Sequence, residues 1–244
     1  MQPNHAIESK EDLLKHFGSS KKLEILDLEQ MENLLKMNVP PEVWEDASNR
    51  NLLSFGQEFV QETKEFKFNG RRIEYIYLIS FLTNLTELDL SKNYISDISS
   101  ISKLKNLKNL YLSCNRIEDI SALQHLPDLI HLYLSYNNLT SYTLALPHLV
   151  ELLLSGNKLQ NKSGLQHLPK LKDLHLYATE TTDLRTIPHQ LFNLKVIFSI
   201  EQYYRNIISF QLHRFVKFKL RLQQIAIKYY ASQILHLTNR IKYF

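Results

Sequence analysis

The sequence predicts an α/β repeat solenoid whose parallel strands line the concave side of an arc. Four segments share the spacing Leu-x-x-Leu-x-Leu-x-x-Asn-x-(Leu/Ile), and their asparagines are separated by 22, 22 and 20 residues. A fixed period of roughly 20 to 50 residues is typical of arrays in which a single unit cannot bury its own apolar residues. Stacking of neighbouring units then supplies a shared core.

Each repeat is predicted to contain one short strand, because apolar and polar residues alternate through its leucines. Leu88 and Leu90 point into the core, so Glu87 and Asp89 point out of it. The asparagine follows where the chain turns off the strand, and its amide can bind backbone groups that the turn leaves unpaired. These asparagines are therefore predicted to form a structural ladder of Asn93, Asn115, Asn137 and Asn157.

The repeats extend beyond the four regular copies. After each asparagine, apolar residues recur at every third position, which predicts short helical or 3₁₀ turns on the convex side. The first such run is Ile98, Ile101 and Leu104. Degenerate copies flank the regular ones, with Arg71 and Thr179 in the asparagine position. We predict a solenoid of about six repeats over residues 63–201, with a further strand near residues 194–200.

The repeat pattern resembles leucine-rich-repeat proteins of the 22-residue class, which includes bacterial internalins and eukaryotic regulators of protein phosphatase 1. The resemblance rests on segments such as Asn93-Tyr-Ile-Ser-Asp-Ile and Asn115-Arg-Ile-Glu-Asp-Ile, and it covers a little over half of the chain. It implies a leucine-rich-repeat arc. It also implies protein–protein recognition as the shared activity, which suits a scaffold or a regulatory subunit.

The location of the protein can be approached from its first residues and its cysteine content. The start of the chain has no apolar segment and no basic lead, so we expect no secretory signal peptide. The one cysteine, Cys114, cannot form an internal disulfide, which fits a reducing compartment. We therefore expect a cytoplasmic protein, with the nucleus as an alternative. A secreted internalin-like adhesin is a further alternative that the resemblance implies.

The solvent-facing strand positions form columns along the concave side. Tyr111, Tyr133 and Leu153 are predicted to form an exposed apolar stripe bordered by acids, which suits a basic partner surface with an apolar centre. Cross-strand packing of the two tyrosines would instead stabilise the sheet. The predicted partner-binding residues are Glu87, Asp89, Tyr111, His131, Tyr133, Tyr136, Glu151, Leu153, Asp173, His175 and Tyr177.

The region before the repeats, residues 1–62, is acidic, with six lysines and arginines against twelve acids. Ser9 and Gly18 bracket a segment with the start and stop signals of a short helix, and Pro41 begins another helix. Residues 22–28 suit either a strand or the entrance of a helix. We predict that this region is a helical N-terminal cap.

The last region, residues 202–244, carries eight lysines and arginines and no acid, glycine or proline. Apolar residues such as Phe218 and Leu222 lie at helical spacing, although residues 216–222 alternate as a strand would. We predict a helix that forms a C-terminal cap. The alternatives are a tail that binds calmodulin or another acidic partner, an anionic membrane surface, or nucleic acid.

Sequence signals for catalysis are lacking. No glycine-rich phosphate loop and no paired metal-binding cysteines occur. His125 and His167 belong to the repeated string Leu-Gln-His-Leu-Pro, so we assign them to the repeat. We predict a monomeric, non-enzymatic protein that needs no cofactor or small-molecule substrate and binds another protein in its concave groove.

Overall fold

The computed structural model describes residues 9–19, 21–160 and 167–176, together with the backbone of a strand at Lys195–Ile197. The region before the array contains four helices and a pair of short strands. In chain order they are α1 (Lys10–Gly18), β1 (Leu23–Ile25), α2 (Leu28–Lys36), α3 (Pro41–Asn49), β2 (Leu53–Phe55) and α4 (Gln57–Glu62).

Local signals set the start of these helices. The Ser9 hydroxyl accepts a hydrogen bond from the Asp12 backbone N–H (3.1 Å) at the start of α1. The Asp27 carboxylate accepts from the Gln30 backbone N–H (2.8 Å) at the start of α2. Pro41 occupies the first position of α3, where its missing N–H leaves no bond unmade. The ambiguous residues 22–28 form β1 and the turn into α2.

The N-terminal region contacts the first repeat directly. The rings of Phe55 and Phe81 stack with centroids 4.2 Å apart. The side chain of Asn38 donates to the backbone carbonyl of Arg72 (3.3 Å) and accepts from the backbone N–H of Glu74 (2.8 Å). A cap role for this region stays a prediction, as does that of residues 202–244, which lie outside the described residues.

Seven parallel strands of three residues each form the sheet of the array, in sequence order. They are β3 (Glu65–Lys67), β4 (Glu87–Asp89), β5 (Asn109–Tyr111), β6 (His131–Tyr133), β7 (Glu151–Leu153), β8 (Asp173–His175) and β9 (Lys195–Ile197). Each strand pairs with the next without slippage, so Leu88 lies beside Leu110 and Leu110 beside Leu132. The predicted parallel-sheet solenoid is confirmed.

The core of the array consists of stacked apolar rows. The strand leucines, including Leu88, Leu110 and Leu132, are fully buried. On the far side, 3₁₀ helices return the chain at Tyr77–Phe81, Ser99–Lys103 and Ser121–His125 among the described residues. These turns bury one apolar residue every three positions, as the sequence predicts.

The return segment after Asn137 takes a different path. This repeat is two residues shorter, and in place of a 3₁₀ helix it has an alternating run that buries Tyr142, Leu144 and Leu146. An extended chain advances about 3.3 Å per residue against about 2.0 Å for a 3₁₀ helix, so fewer residues cover the same span.

The asparagines join neighbouring repeats through buried hydrogen bonds. The Asn115 amide oxygen accepts from the backbone N–H of Ile95 (3.1 Å), one repeat earlier. Its amide nitrogen donates to the carbonyls of Leu90 (2.9 Å) and Leu112 (3.0 Å). Asn137 and Asn157 repeat this arrangement, and Asn93 binds the first repeat in the same way. Arg71, which occupies the asparagine position of the first repeat, donates its backbone N–H to Asn93 (2.9 Å).

Candidate functional site

The strand register places the predicted site residues in two rows on the concave face. The first row follows the sheet through Glu87, Asn109, His131, Glu151 and Asp173. The second follows it through Asp89, Tyr111, Tyr133, Leu153 and His175. All ten side chains are half-buried, because each is flanked on both sides by the neighbouring strands.

Tyr111 and Tyr133 form the aromatic centre of this face. Their rings meet edge to face, with centroids 4.8 Å apart and planes at 90°. The predicted stripe is therefore half-buried and not fully exposed, because each ring covers part of the other. A pair of this kind presents an apolar surface to a partner. Because each ring already restricts the other, the two side chains lose little further conformational entropy when a partner binds.

The hydroxyl groups of the pair lie in a negative environment. Tyr133 donates its hydroxyl hydrogen to Glu151 Oε2 at 2.7 Å. Burial raises the pKa of Tyr133 above its ordinary value, and the hydrogen bond to Glu151 raises that pKa further. Burial also raises the pKa of Tyr111, and the negative charge of Glu87 adds to that rise. Both phenols therefore stay neutral hydrogen-bonding groups in the ordinary pH range.

A polar chain crosses four strands at the N-terminal end of the face. Lys67 forms ion pairs with Glu65 (3.2 Å) and Glu87 (2.8 Å). The hydrogen bond from Lys67 holds the pKa of Glu87 below its ordinary value. Asn109 donates to Glu87 Oε2 (3.2 Å), and its amide oxygen lies 2.8 Å from His131 Nδ1. Because that oxygen can only accept, the network assigns the proton to His131 Nδ1.

Asp89 is held by the first repeat and by its own turn. Its carboxylate accepts from the Asn69 side-chain amide and from the Ser91 backbone N–H, both at 2.9 Å. Lys67 neutralises part of the negative charge at this end of the face, and Glu151 adds negative charge farther along the sheet.

Tyr136 lies where the chain leaves β6 and is 54% exposed. Its backbone has φ of 58°, a left-handed conformation that few non-glycine residues adopt. Its ring lies against Gly156, where an added Cβ would come within 2.5 Å of Tyr136 Cδ1. The ring is thus positioned by a glycine in the next repeat. Tyr177 lies outside the described residues.

Among the described side chains, the sequence-based set omits three residues of these two rows, which are Glu65, Lys67 and Asn109. All three occupy the same columns as the predicted residues, so repeat alignment was the signal that could have identified them. Their part in the hydrogen-bond chain depends on side-chain conformation, which the repeat pattern does not specify.

Two depressions lie away from the tyrosine pair. One, of about 970 Å³, is lined by residues 26–28, 56–59 and 62–65, and a smaller one, of about 400 Å³, lies between the second and third repeats near Arg116 and Asp119. Within the described ranges, no group of three or more histidine, cysteine or acidic side chains could hold a metal ion. No helix in the same part of the chain is long and apolar enough to cross a membrane.

Comparison with known families identifies the repeats. Residues 83–125 match a family model described as "Leucine Rich repeats (2 copies)", and residues 105–159 match one described as "Leucine rich repeat". Leucine-rich-repeat domains generally mediate protein–protein interaction and are typically not enzymes. No curated protein matches the chain.

Solved structures with a similar fold come from Listeria monocytogenes. The internalin InlF has 29% identity and a TM-score of 0.49, over 58% of this chain and 48% of that one. Internalin C2 has 27% identity and a TM-score of 0.48, over 58% of this chain and 74% of that one. The functional domain of InlJ, which includes a cysteine ladder, has 25% identity and a TM-score of 0.50, over 62% of this chain and 35% of that one.

The match spans about half the length of InlF and about a third of the InlJ domain. The InlJ domain is described as including a cysteine ladder, whereas this chain has a single cysteine. The family models, the unbroken parallel register and the asparagine bonds agree on the architecture. The array is an α/β leucine-rich-repeat solenoid that resembles the repeats of the internalins.

Proposed function

We propose that this chain is a non-enzymatic binding protein, a scaffold or regulatory subunit, that holds a partner protein on its concave face. The observation that carries the proposal is the edge-to-face pair of Tyr111 and Tyr133 at the centre of that face. Paired aromatic side chains surrounded by polar groups are enriched among the residues that dominate binding energy at protein interfaces.

The charge of the face favours a basic partner segment. Tyr133 already bonds Glu151, and Glu87 adds negative charge beside Tyr111. A lysine or arginine of the partner lying over either ring would gain both a cation–π contact and a nearby carboxylate. Lys67 neutralises part of the opposite end, so we place the basic segment near Tyr133 and Glu151.

The test is affinity capture of partners from cells that express the protein naturally. The variant Tyr111→Ala/Tyr133→Ala removes the aromatic pair, and we expect a captured partner to bind it at least about 30-fold more weakly, because truncation of even one hot-spot residue costs about 2 kcal/mol or more. The matched control is Tyr75→Ala/Tyr77→Ala, which removes two half-buried tyrosines on the other side of the array. An identical set of partners for both variants would contradict the proposal.

A second candidate function belongs to residues 202–244, whose eight cations and absence of acids favour an adaptor role. The segment would bind calmodulin, an anionic membrane or nucleic acid. Titrating the full chain and a chain ending at residue 201 with calmodulin, phosphatidylserine vesicles and single-stranded RNA separates these possibilities. Unfolding of the shortened chain would support a cap instead.

We propose a cytoplasmic location on the strength of the single cysteine, with the nucleus as an alternative. A secreted adhesin similar to the internalins is the competing proposal. Recovery of the protein from the culture medium, and not from the cell lysate, would favour the adhesin.

A further inference from the structure

A second charged surface runs along the edge of the array where the chain leaves each strand. Positions on either side of Asn93, Asn115 and Asn137 are exposed there, whereas the asparagines themselves are buried. Lys92 and Tyr94 flank Asn93, and Cys114 and Arg116 flank Asn115. These positions lie side by side because Lys92 N–H donates to Ser113 (2.8 Å) and Arg116 N–H donates to Ile95 (2.9 Å).

The charge of this edge is opposite to that of the concave strands. We define the basic edge as Arg71, Arg72, Lys92, Arg116 and Lys158, all of which are exposed. No acid occurs in the described segments 70–72, 92–94, 114–116, 136–138 and 156–158 that form it. None of the five cations forms an ion pair with another described residue, in contrast to Lys67 on the concave face.

One cation of the edge is held in a fixed orientation. The guanidinium carbon of Arg116 lies 4.4 Å from the centroid of the Tyr94 ring, and Tyr94 is itself 38% exposed. The guanidinium group is planar, and its contact with the Tyr94 ring restricts its movement, so it can donate two parallel hydrogen bonds to a carboxylate with less further loss of side-chain entropy.

We propose that the basic edge binds an acidic segment of a partner protein. Carboxylates and phosphates would both pair with these cations. The negative charge of the neighbouring concave face favours a carboxylate-bearing protein segment over a nucleic acid. This face carries acids at Glu87, Asp89 and Glu151 on the strands that lead into the edge, and a uniformly charged nucleic acid would be repelled there. A protein can place an acidic segment on the edge beside a basic segment on the concave face.

The proposal rests on the proposed function in one respect, which is that the partner is a protein. It adds that the partner carries an acidic segment and a basic segment in a fixed relative position. Opposite charge patches on adjoining surfaces set the orientation of a bound protein, because turning it by half a revolution would bring like charges together.

The single cysteine allows a local test in the full chain. Cys114 is exposed on this edge, so a small trifluoromethyl tag on its sulfur reports binding beside it. The probe is a 20-residue poly-glutamate peptide, titrated at fixed salt while the ¹⁹F resonance is followed. We expect a saturable shift that weakens as salt is added.

The variant Lys92→Glu/Arg116→Glu/Lys158→Glu should weaken the binding reported by the tag at least about tenfold, because three exposed charge contacts are reversed. The control variant Lys105→Glu/Lys108→Glu/Lys172→Glu makes the same change in net charge on exposed lysines that precede the strands. It should change the reported binding less than about twofold, because these lysines lie at the other end of the strands. Circular dichroism checks that both variants fold.

Equal weakening by the two variants would overturn the proposal, since the tag would then sense net charge alone. Tighter binding of a 20-nucleotide oligothymidylate than of poly-glutamate would overturn it in favour of nucleic acid. Absence of any ¹⁹F shift would also overturn it. None of these outcomes depends on Tyr111 or Tyr133, so failure here is distinguishable from failure of the concave-face proposal.

Discussion

At the scale of single residues, a buried polar side chain holds the array together as firmly as its leucines do. Each ladder asparagine uses its donors and its acceptor on backbone groups that have left the strand and have no ladder partner. A leucine at this position could fill the space but would leave the backbone N–H of the preceding repeat unpaired, and an unpaired buried group costs about 1–3 kcal/mol.

Replacing Asn115 by alanine should therefore lower the free energy of unfolding by about 1–3 kcal/mol, since the Ile95 backbone N–H loses its acceptor and the carbonyls of Leu90 and Leu112 each lose one of two donors. Denaturant unfolding followed by circular dichroism measures the change. The control is Asn138→Ala, an exposed asparagine in the next repeat, for which we expect less than about 0.5 kcal/mol. Similar losses in both variants would refute a specific role for the ladder.

Gly156 and Gly70 allow backbone strain to be separated from a steric clash. Both have positive φ, 70° and 65°, but an added Cβ at Gly156 meets the Tyr136 ring whereas one at Gly70 meets nothing within 4 Å. We expect Gly70→Ala to lower the free energy of unfolding by about 1 kcal/mol through strain alone. Gly156→Ala should cost about 1–2 kcal/mol more.

The additional effect at Gly156 should disappear when Tyr136 is first replaced by alanine, because the ring that clashes is then absent. A double-mutant cycle on Gly156→Ala and Tyr136→Ala measures this coupling. Simple additivity of the two substitutions would show that the ring moves aside without loss of stability.

At the scale of elements, the strands of the array are too short to be stable alone. Each has three residues, and its hydrogen bonds all go to the strands of neighbouring repeats. The concave side chains are coupled in the same way, since Lys67 on β3 binds Glu87 on β4 and Asn109 on β5 binds the same carboxylate. Binding at one strand therefore depends on the position of its neighbours.

The ion pair between Glu87 and Lys67 predicts that the stability of the protein depends on pH. The pKa of Glu87 is lowered in the folded state, so its contribution is present above the ordinary glutamate pKa of 4.5 and is lost as pH falls through the lowered value. The melting temperature of the protein should exceed that of Glu87→Gln at pH 7, and the two should converge as the carboxyl becomes protonated. A constant difference between pH 7 and pH 2.5 would contradict this account.

The sequence predicts the array well because its information is local and periodic. A strand that begins at Glu87 is followed 22 residues later by one at Asn109, so the pattern alone yields the register and the two concave rows. Side-chain contacts within the rows do not follow from the period. The edge-to-face geometry of Tyr111 and Tyr133 depends on ring rotation, and it makes the predicted stripe half-buried.

The N-terminal region is harder to predict because its pairing is non-local. β1 and β2 lie side by side in parallel although about 30 residues separate them, and two helices intervene. Each strand has only three residues, which is too short for an alternating pattern to be recognised. The basic edge does not stand out in the sequence because its cations are spread over four of the repeats and come together only after stacking.

At the scale of the whole molecule, the described residues form a chain of nearest neighbours with the N-terminal region at one end. Phe55 stacks on Phe81, and Asn38 binds the backbone on either side of Ile73. In such a system a disturbance weakens the adjoining units most and distant units least.

Phe55→Ala should accordingly increase amide hydrogen exchange in residues 76–82 of the first repeat by about tenfold, since removing a half-buried stacked ring costs about 1–2 kcal/mol. Residues 151–153, three repeats beyond Glu87, should exchange as in the unmodified protein. Hydrogen exchange read by mass spectrometry gives both values in one experiment. A uniform increase would show that the array opens as a single cooperative unit.

The direction of the asparagine bonds has a consequence for how the protein is made. Asn115 binds backbone groups of Ile95 and Leu90, which precede it in the chain and are synthesised before it. Asn137 binds Ile117 and Leu112 in the same way. Each newly synthesised repeat thus supplies hydrogen-bond partners for the repeat before it. None of these bonds requires a repeat that lies two units later in the chain. The array is suited to assembly in the order of translation, and insertion of a whole 22-residue unit would leave every bond of this kind intact.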